Sequence, residues 1–171
     1  MTATAATQPV EAIFAAVEQA YGWVPNLIKE MSRSVPTAQA YLSGQQALAK
    51  GSLSPKEQQA VQLAVASVNG CHYCQEAHAW IGGKVRISAE DIAAIRSGRL
   101  PKDETLATVV ETTRLIMEKR GWLSEEELRQ AESKGLSKTR LYEIITYIGL
   151  KTISNYINYI AHTPVDEQFS G

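Results

Sequence analysis

Cys71, Cys74 and His78 stand at offsets i, i+3 and i+7. On a helix those offsets put all three side chains on one face. Asn69-Gly70 comes immediately before them, so a helix starting there holds the thiols in or near its first turn. Unpaired N–H groups and the positive end of the helix dipole stabilise a thiolate at that place and lower its pKa. His78 lies one turn beyond Cys74, within reach of its proton directly or through a water. A low-pKa thiolate, a base beside it and a second thiol at disulfide range are the parts of a reversible peroxidase or disulfide reductant. In such a cycle the attacking sulfur becomes a sulfenic acid, and the second thiol resolves it to a disulfide.

Other chemistries compete for the same residues. The pair could be inert core cysteines, or half of a zinc site. A structural zinc needs four ligands, and only His72, His78 and His162 could add nitrogen, with no second C-x-x-C in the chain. No metal or other cofactor is therefore expected beyond the redox-active pair Cys71–Cys74. His72 points away from the shared face and reads as an exposed histidine; His162 reads as a capping or core histidine near a helix end.

The rest of the chain has to position this cluster. Its 171 residues are enough for one domain with a hydrophobic core, and 44% hydrophobic with 20% charged residues is an ordinary globular mixture. A net charge of −1, with no Lys/Arg run, excludes a nucleic-acid surface, which needs a concentrated cationic excess. There is no basic segment followed by an apolar one at the N-terminus, and no apolar stretch of about 18 residues. The expectation is a cytoplasmic protein without a membrane span. In a reducing compartment, a C-x-x-C pair is more readily redox-active or metal-binding than structural.

Helix signals recur along the chain. Residues 1–8 are small and polar and read as a disordered tail before a single domain over 9–171. Pro9 fits a helix start, followed by Val10, Ile13, Phe14 and Val17 at helical spacing, with Gly22 as the stop. Pro25 and Pro36 open two more helices. Ser54-Pro-Lys-Glu57 combines a cap, a proline at N1 and a glutamate at N3. Asn69-Gly70 ends that helix and the cysteine helix follows. Ser88 opens a short helix to Gly98, and further helices are predicted over 103–119, 124–134 and 138–161. No sustained alternation demands a strand, so the fold class is all-α.

A shift of 84 residues lays Cys71, Cys74 and His78 over Asn155, Asn158 and His162, and Gln59 over Glu143. Apolar Ala60, Val61 and Ala64 then meet Ile144, Ile145 and Ile148. This reads as a duplicated helical unit in which one copy kept its thiols.

At these residues the chain resembles the carboxymuconolactone decarboxylase and AhpD-like superfamily, in its peroxidase-related branch. The carrying stretch runs from Leu53 through Ser-Pro-Lys-Glu to Asn69-Gly-Cys-His-Tyr-Cys-Gln-Glu-Ala-His78, with Tyr21-Gly-Trp-Val-Pro-Asn26 and Asn155–Asp166 beside it. The resemblance implies an AhpD-like helical bundle, assembled as a homo-oligomer of three or six subunits, reducing alkyl hydroperoxides. It implies that Cys74 attacks, Cys71 resolves and His78 belongs to a proton relay. It further implies an electron-donating thiol or lipoyl-bearing partner that recharges the disulfide. Long apolar stretches such as 141–160 point independently to an oligomer.

Two positions depart from the family pattern. Its relay glutamate stands twelve residues before the first cysteine, where this chain has Gln59, which cannot act as a base. The relay is then shortened, rerouted through Glu57 or Glu143, or absent. Tyr73 replaces the histidine that the best-known peroxidases carry between their cysteines. The decarboxylase arm is a weaker match, since it does not depend on C-x-x-C. A different class stays open: a redox-sensing or interaction protein whose disulfide controls assembly.

Overall fold

The computed structural model describes the backbone of residues 4–169 and the side chains of residues 9–169. Those residues form nine α-helices and one short 3-10 turn, with no strand among them. In order they are α1 (Thr4–Tyr21), α2 (Asn26–Met31), α3 (Val35–Leu48), α4 (Pro55–Val68), α5 (His72–Lys84), α6 (Ala89–Arg96), α7 (Glu104–Lys119), α8 (Glu125–Ser133) and α9 (Lys138–Ala161), before the turn Glu167–Phe169. The all-α expectation holds.

Local chemistry explains most boundaries. Ser54 and Glu57 close a reciprocal capping box at the start of α4, and Ser124 and Glu127 do the same for α8. Ser88, Asp103 and Ser137 accept backbone N–H bonds at the starts of α6, α7 and α9. The first helix differs from expectation. It runs from Thr4, so Pro9 lies inside it rather than at its start, and the chain ahead of Pro9 carries alanines that favour helix. Of the expected N-terminal tail, residues 1–3 lie outside the described residues.

α4 is the central element. Ala60, Val61, Leu63, Ala64, Val65 and Ala66 are all buried, so the helix is covered on nearly every side. It packs against α5, α6, α7 and α9. One core cluster joins α4 to α7 and the first half of α9, through Val109, Val110, Ile144 and Tyr147. A second joins α1, α2, α3 and α5 around Ile13, Leu27, Met31, Tyr41 and the two cysteines. The segments related by the 84-residue shift thus pack on each other. The first is broken between α4 and α5, where Gly70 takes a φ of +70°, a conformation glycine enters without strain. The second is the unbroken helix α9.

Candidate functional site

The break at Gly70 puts Cys71 at the N-cap of α5 and Cys74 in its first turn, as the spacing predicts. Both are free thiols and both are buried, at 2% and 1% exposure. Cys74 lines a cavity of about 140 Å³ that His78 also reaches. Trp23, Tyr73, Trp80 and Phe169 make an aromatic wall on it, with ring centroids 5.7–5.9 Å apart and mostly edge-to-face. Cys71 is not among the lining residues and lies behind Cys74.

The opposite side of the thiols is built by α9. Asn158 donates its amide to Cys74 Sγ at 3.2 Å and lies 3.7 Å from Cys71 Sγ. Ser154 Oγ is 3.9 Å from Cys74 Sγ. Asn155 is held by an amide bond from Asn69 at 2.8 Å. Lys151, only 1% exposed, reaches the same cavity. The counterparts of the two cysteines in the shifted copy, Asn155 and Asn158, therefore lie against the cysteines themselves.

These contacts split the two thiols electrostatically. A hydrogen bond from Cys71, then the Lys151 charge, Ser154 and Asn155, outweigh burial and lower Cys74 to about 5. Cys71 moves the other way, pushed far up by its bond to Cys74 and by burial. At neutral pH the arrangement is a Cys74 thiolate with a protonated Cys71 beside it, which is the ordering a nucleophile and its resolving thiol require.

His78 is on the expected face but makes a different contact. Its Nδ1 donates to Gln59 Oε1 at 2.8 Å, so Gln59 occupies the partner position where the family pattern has glutamate. Burial first, then the Lys151 charge, hold His78 well below the usual imidazole value, leaving it neutral.

Neither proposed substitute carboxylate reaches the thiols. Glu57 closes the α4 capping box and pairs with Arg140. Glu143 accepts the backbone N–H groups of Ser52 and Leu53 and the Ser52 hydroxyl. A Cβ at Gly51 would lie 2.8 Å from that carboxylate. Both glutamates thus hold helix and loop termini, because unpaired backbone donors there attract an anion. Within this chain, both carboxylates are engaged away from His78 and the thiols, at the ends of α4 and of the loop before it.

Tyr73 is also structural. Its hydroxyl accepts from Leu27 N–H at 3.2 Å and donates to Asp166, which in turn accepts Asn26 N–H at 3.1 Å. The tyrosine between the cysteines therefore ties α5 to α2 and to the C-terminal segment whose Phe169 walls the cavity. His72 is exposed beside Glu76, and His162 is the C-cap of α9 in the left-handed region, φ 48°.

Lys151 and Ser154 were missed by sequence reasoning. Their signal was present: Lys151, Ser154, Asn155 and Asn158 fall at i, i+3, i+4 and i+7, one polar stripe in an otherwise apolar helix.

An all-α bundle with a C-x-x-C pair at a buried helix start defines a class of dithiol site carried on an AhpD-like fold. Residues 36–105 match the model of the Carboxymuconolactone decarboxylase family. It is similar in structure to a peroxidase-related protein from Silicibacter sp. TM1040, with a TM-score of 0.82 and 18% identity over 94% of this chain and 86% of that one. A second such protein, an alkylhydroperoxidase AhpD core from Ralstonia eutropha JMP134, gives 0.83 and 16% over the same shares. The debrominase Bmp8 gives 0.76 and 17%, over 99% of this chain and 92% of its own. A cysteine-to-alanine variant of that debrominase has been seen with 2,3,4-tribromopyrrole. No curated protein matches the sequence. The matched stretch includes Cys71, Cys74 and His78 and ends well before Lys151.

Proposed function

We propose that the protein is a thiol-dependent peroxidase and disulfide oxidoreductase that reduces small organic hydroperoxides through Cys74 and Cys71. The observation that carries this reading is the pairing itself: a buried Cys74 thiolate on the wall of a cavity, with protonated Cys71 directly behind it. Cys74 attacks the terminal peroxide oxygen, the O–O bond breaks, and an alcohol leaves. Cys71 then attacks the sulfenic acid, releasing water and forming the disulfide. An external dithiol, from a thiol or lipoyl-bearing protein, reduces the disulfide and restores both thiols. A cavity near 140 Å³ holds about one ring-sized molecule, which favours compact alkyl or aryl hydroperoxides. Exposed Tyr142, Ile145, Ile153, Tyr156 and Ile160 along α9 support association of copies into a homo-oligomer.

A second reading is favoured by the His78–Gln59 pair, which brings no carboxylate to the site. The disulfide would then act as a redox sensor rather than a turnover intermediate. The aromatic wall and the likeness to a debrominase also make a brominated pyrrole a compound to assay beside the peroxides.

The test is tert-butyl hydroperoxide consumption with dithiothreitol as reductant. Wild type turns over, Cys74→Ser does not, and Cys71→Ser forms one equivalent of sulfenic acid without an intramolecular disulfide. Equal consumption by wild type and Cys74→Ser rejects the peroxidase reading. One stoichiometric oxidation without turnover selects the sensor.

A further inference from the structure

The position of Lys151 in the cavity reaches beyond this activity while resting on it. We propose that Lys151 is the counter-ion of the Cys74 thiolate and the proton donor to the oxygen that leaves when a hydroperoxide is cleaved. It would thus replace a carboxylate–histidine relay.

A buried ammonium is costly unless it faces an anion. Lys151 is 1% exposed, and no ion pair among the described residues includes it. The titratable groups that face it are Tyr21 from α1, Tyr41 from α3, and Cys71, Cys74 and His78 from α5. Of these, only a thiol becomes an anion near neutral pH. The rest of the α9 stripe agrees with this. Asn158 aims its amide hydrogens at both sulfurs, and the buried Nδ2 of Asn155 beside it has no hydrogen-bond partner. These donors suit a thiolate better than a thiol. Burial alone would push Lys151 down; the Cys74 charge, with Tyr41 and Cys71, reverses that and raises it.

His78 cannot do the same work. It is neutral, and its Nδ1 is bound to an amide that accepts no proton. Lys151 and Cys74 line one cavity, so the ammonium faces the place where the leaving oxygen develops charge. The step balances. The thiolate takes the OH of ROOH, the O–O bond breaks, and Lys151 gives one proton to RO⁻, leaving a Cys74 sulfenic acid, ROH and a neutral amine. That amine accepts the Cys71 proton, the Cys71 thiolate displaces hydroxide from Cys74, and the returned proton makes water. Reduction by the external dithiol restores Cys74–SH, whose proton recharges Lys151.

The experiment separates the two roles with two variants. Cys74 alkylation by neutral iodoacetamide, assigned by peptide mass, is followed from pH 4 to 9. Wild type should inflect near pH 5 and stay flat above pH 6. Lys151→Met should slow alkylation at pH 6 by about tenfold, the loss expected if the thiol gives up the ammonium's share of its lowering and keeps that of the Cys71 bond. Lys151→Arg keeps the charge and should stay within about threefold. Arginine does not release its proton, so the same variant should lose at least about tenfold in sulfenic acid formation with tert-butyl hydroperoxide. A wild-type alkylation profile in folded Lys151→Met overturns the ion pair. Full sulfenic acid formation in Lys151→Arg overturns the donor role. If Lys151→Met does not fold, the Lys151 Cε resonance is titrated by NMR in wild type and Cys74→Ser. Loss of the anion should let burial pull Lys151 down, and an unmoved titration overturns the pairing. The alkylation profile needs no peroxide. A wild type that shows it but reduces no hydroperoxide therefore fails the peroxidase reading, and the donor role with it. A working peroxidase whose Lys151→Met keeps the wild-type profile fails only this proposal.

Discussion

The two halves of α9 use polar residues in opposite ways. In the first half, Arg140 and Glu143 reach outward to Glu57 and to the Ser52–Leu53 backbone, while Leu141, Ile144 and Tyr147 face the core. In the second half the helix is inverted. Lys151, Ser154, Asn155 and Asn158 are buried, and Ile153, Tyr156, Tyr159 and Ile160 are exposed, the last at 85%. The first half keeps its buried positions apolar, as an amphipathic helix does, with Tyr142 and Ile145 left on its exposed face. The second breaks that pattern because its neighbour across the interface is a pair of sulfurs, one of them anionic. Ser154 Oγ and Asn158 Nδ2 meet the Cys74 sulfur there, while Asn155 Nδ2 and Asn158 Oδ1 are buried without a hydrogen-bond partner. The price of that arrangement is a surface left apolar, consistent with an oligomer.

The largest expected effect separates the halves by stability. Ile144→Ala removes a fully buried side chain between α9 and α4. It should cost about 2–5 kcal/mol in chemical denaturation, while the pH profile of Cys74 alkylation stays in place. A moved profile would show that the apolar half tunes the thiol, and the contrast would fail.

How much of this was legible in sequence follows from the same contrast. Capping serines, the Gly70 break and the Cys–Cys–His face depend on neighbours close in sequence, so the helices and the start of α5 were readable. The polar stripe of α9 depends on α5, about 80 positions away in sequence. In isolation Lys151 and its neighbours look like a solvated face, and only packing shows that they point inward. The internal repeat marked Asn155 and Asn158, but as residues that had lost thiols rather than as partners of the remaining ones. The contacts of Glu143 were hidden for a related reason. Its repeat position suggested the site, yet the unpaired N–H groups of Ser52 and Leu53 lie nearer and hold it.

A smaller effect sharpens the inverted half. Asn158→Ala deletes the amide that Cys74 and Cys71 share. A hydrogen bond to a charged group contributes about 1.5–3 kcal/mol, so the Cys74 pKa should rise by about one to two units. Alkylation at pH 6 should then slow by about two- to tenfold, with the wild-type rate recovered near pH 8. A rate unchanged at pH 6 would mean that Lys151 and Cys71 hold the thiolate without the amide.

The smallest effect probes the outward half. Glu57→Gln and Glu143→Gln each leave a neutral amide where a carboxylate now gathers backbone N–H groups. Each should cost about 1 kcal/mol of stability, with Glu57→Gln the larger because it also strands Arg140. Cys74 alkylation and hydroperoxide reduction should be unchanged in both. The comparison is demanding, because a relay through either residue predicts a loss of roughly 100-fold in rate with little change in stability. If Glu143→Gln were to slow the peroxide step while leaving the denaturation midpoint in place, Glu143 would have to leave Ser52 during turnover. The site would then include the outward half of α9, and its division into a structural end and a chemical end would be wrong. Stability loss with unchanged chemistry is the outcome the geometry calls for, since Glu143 is held by three donors at the α3–α4 loop and Cys74 is served from the far end of the same helix.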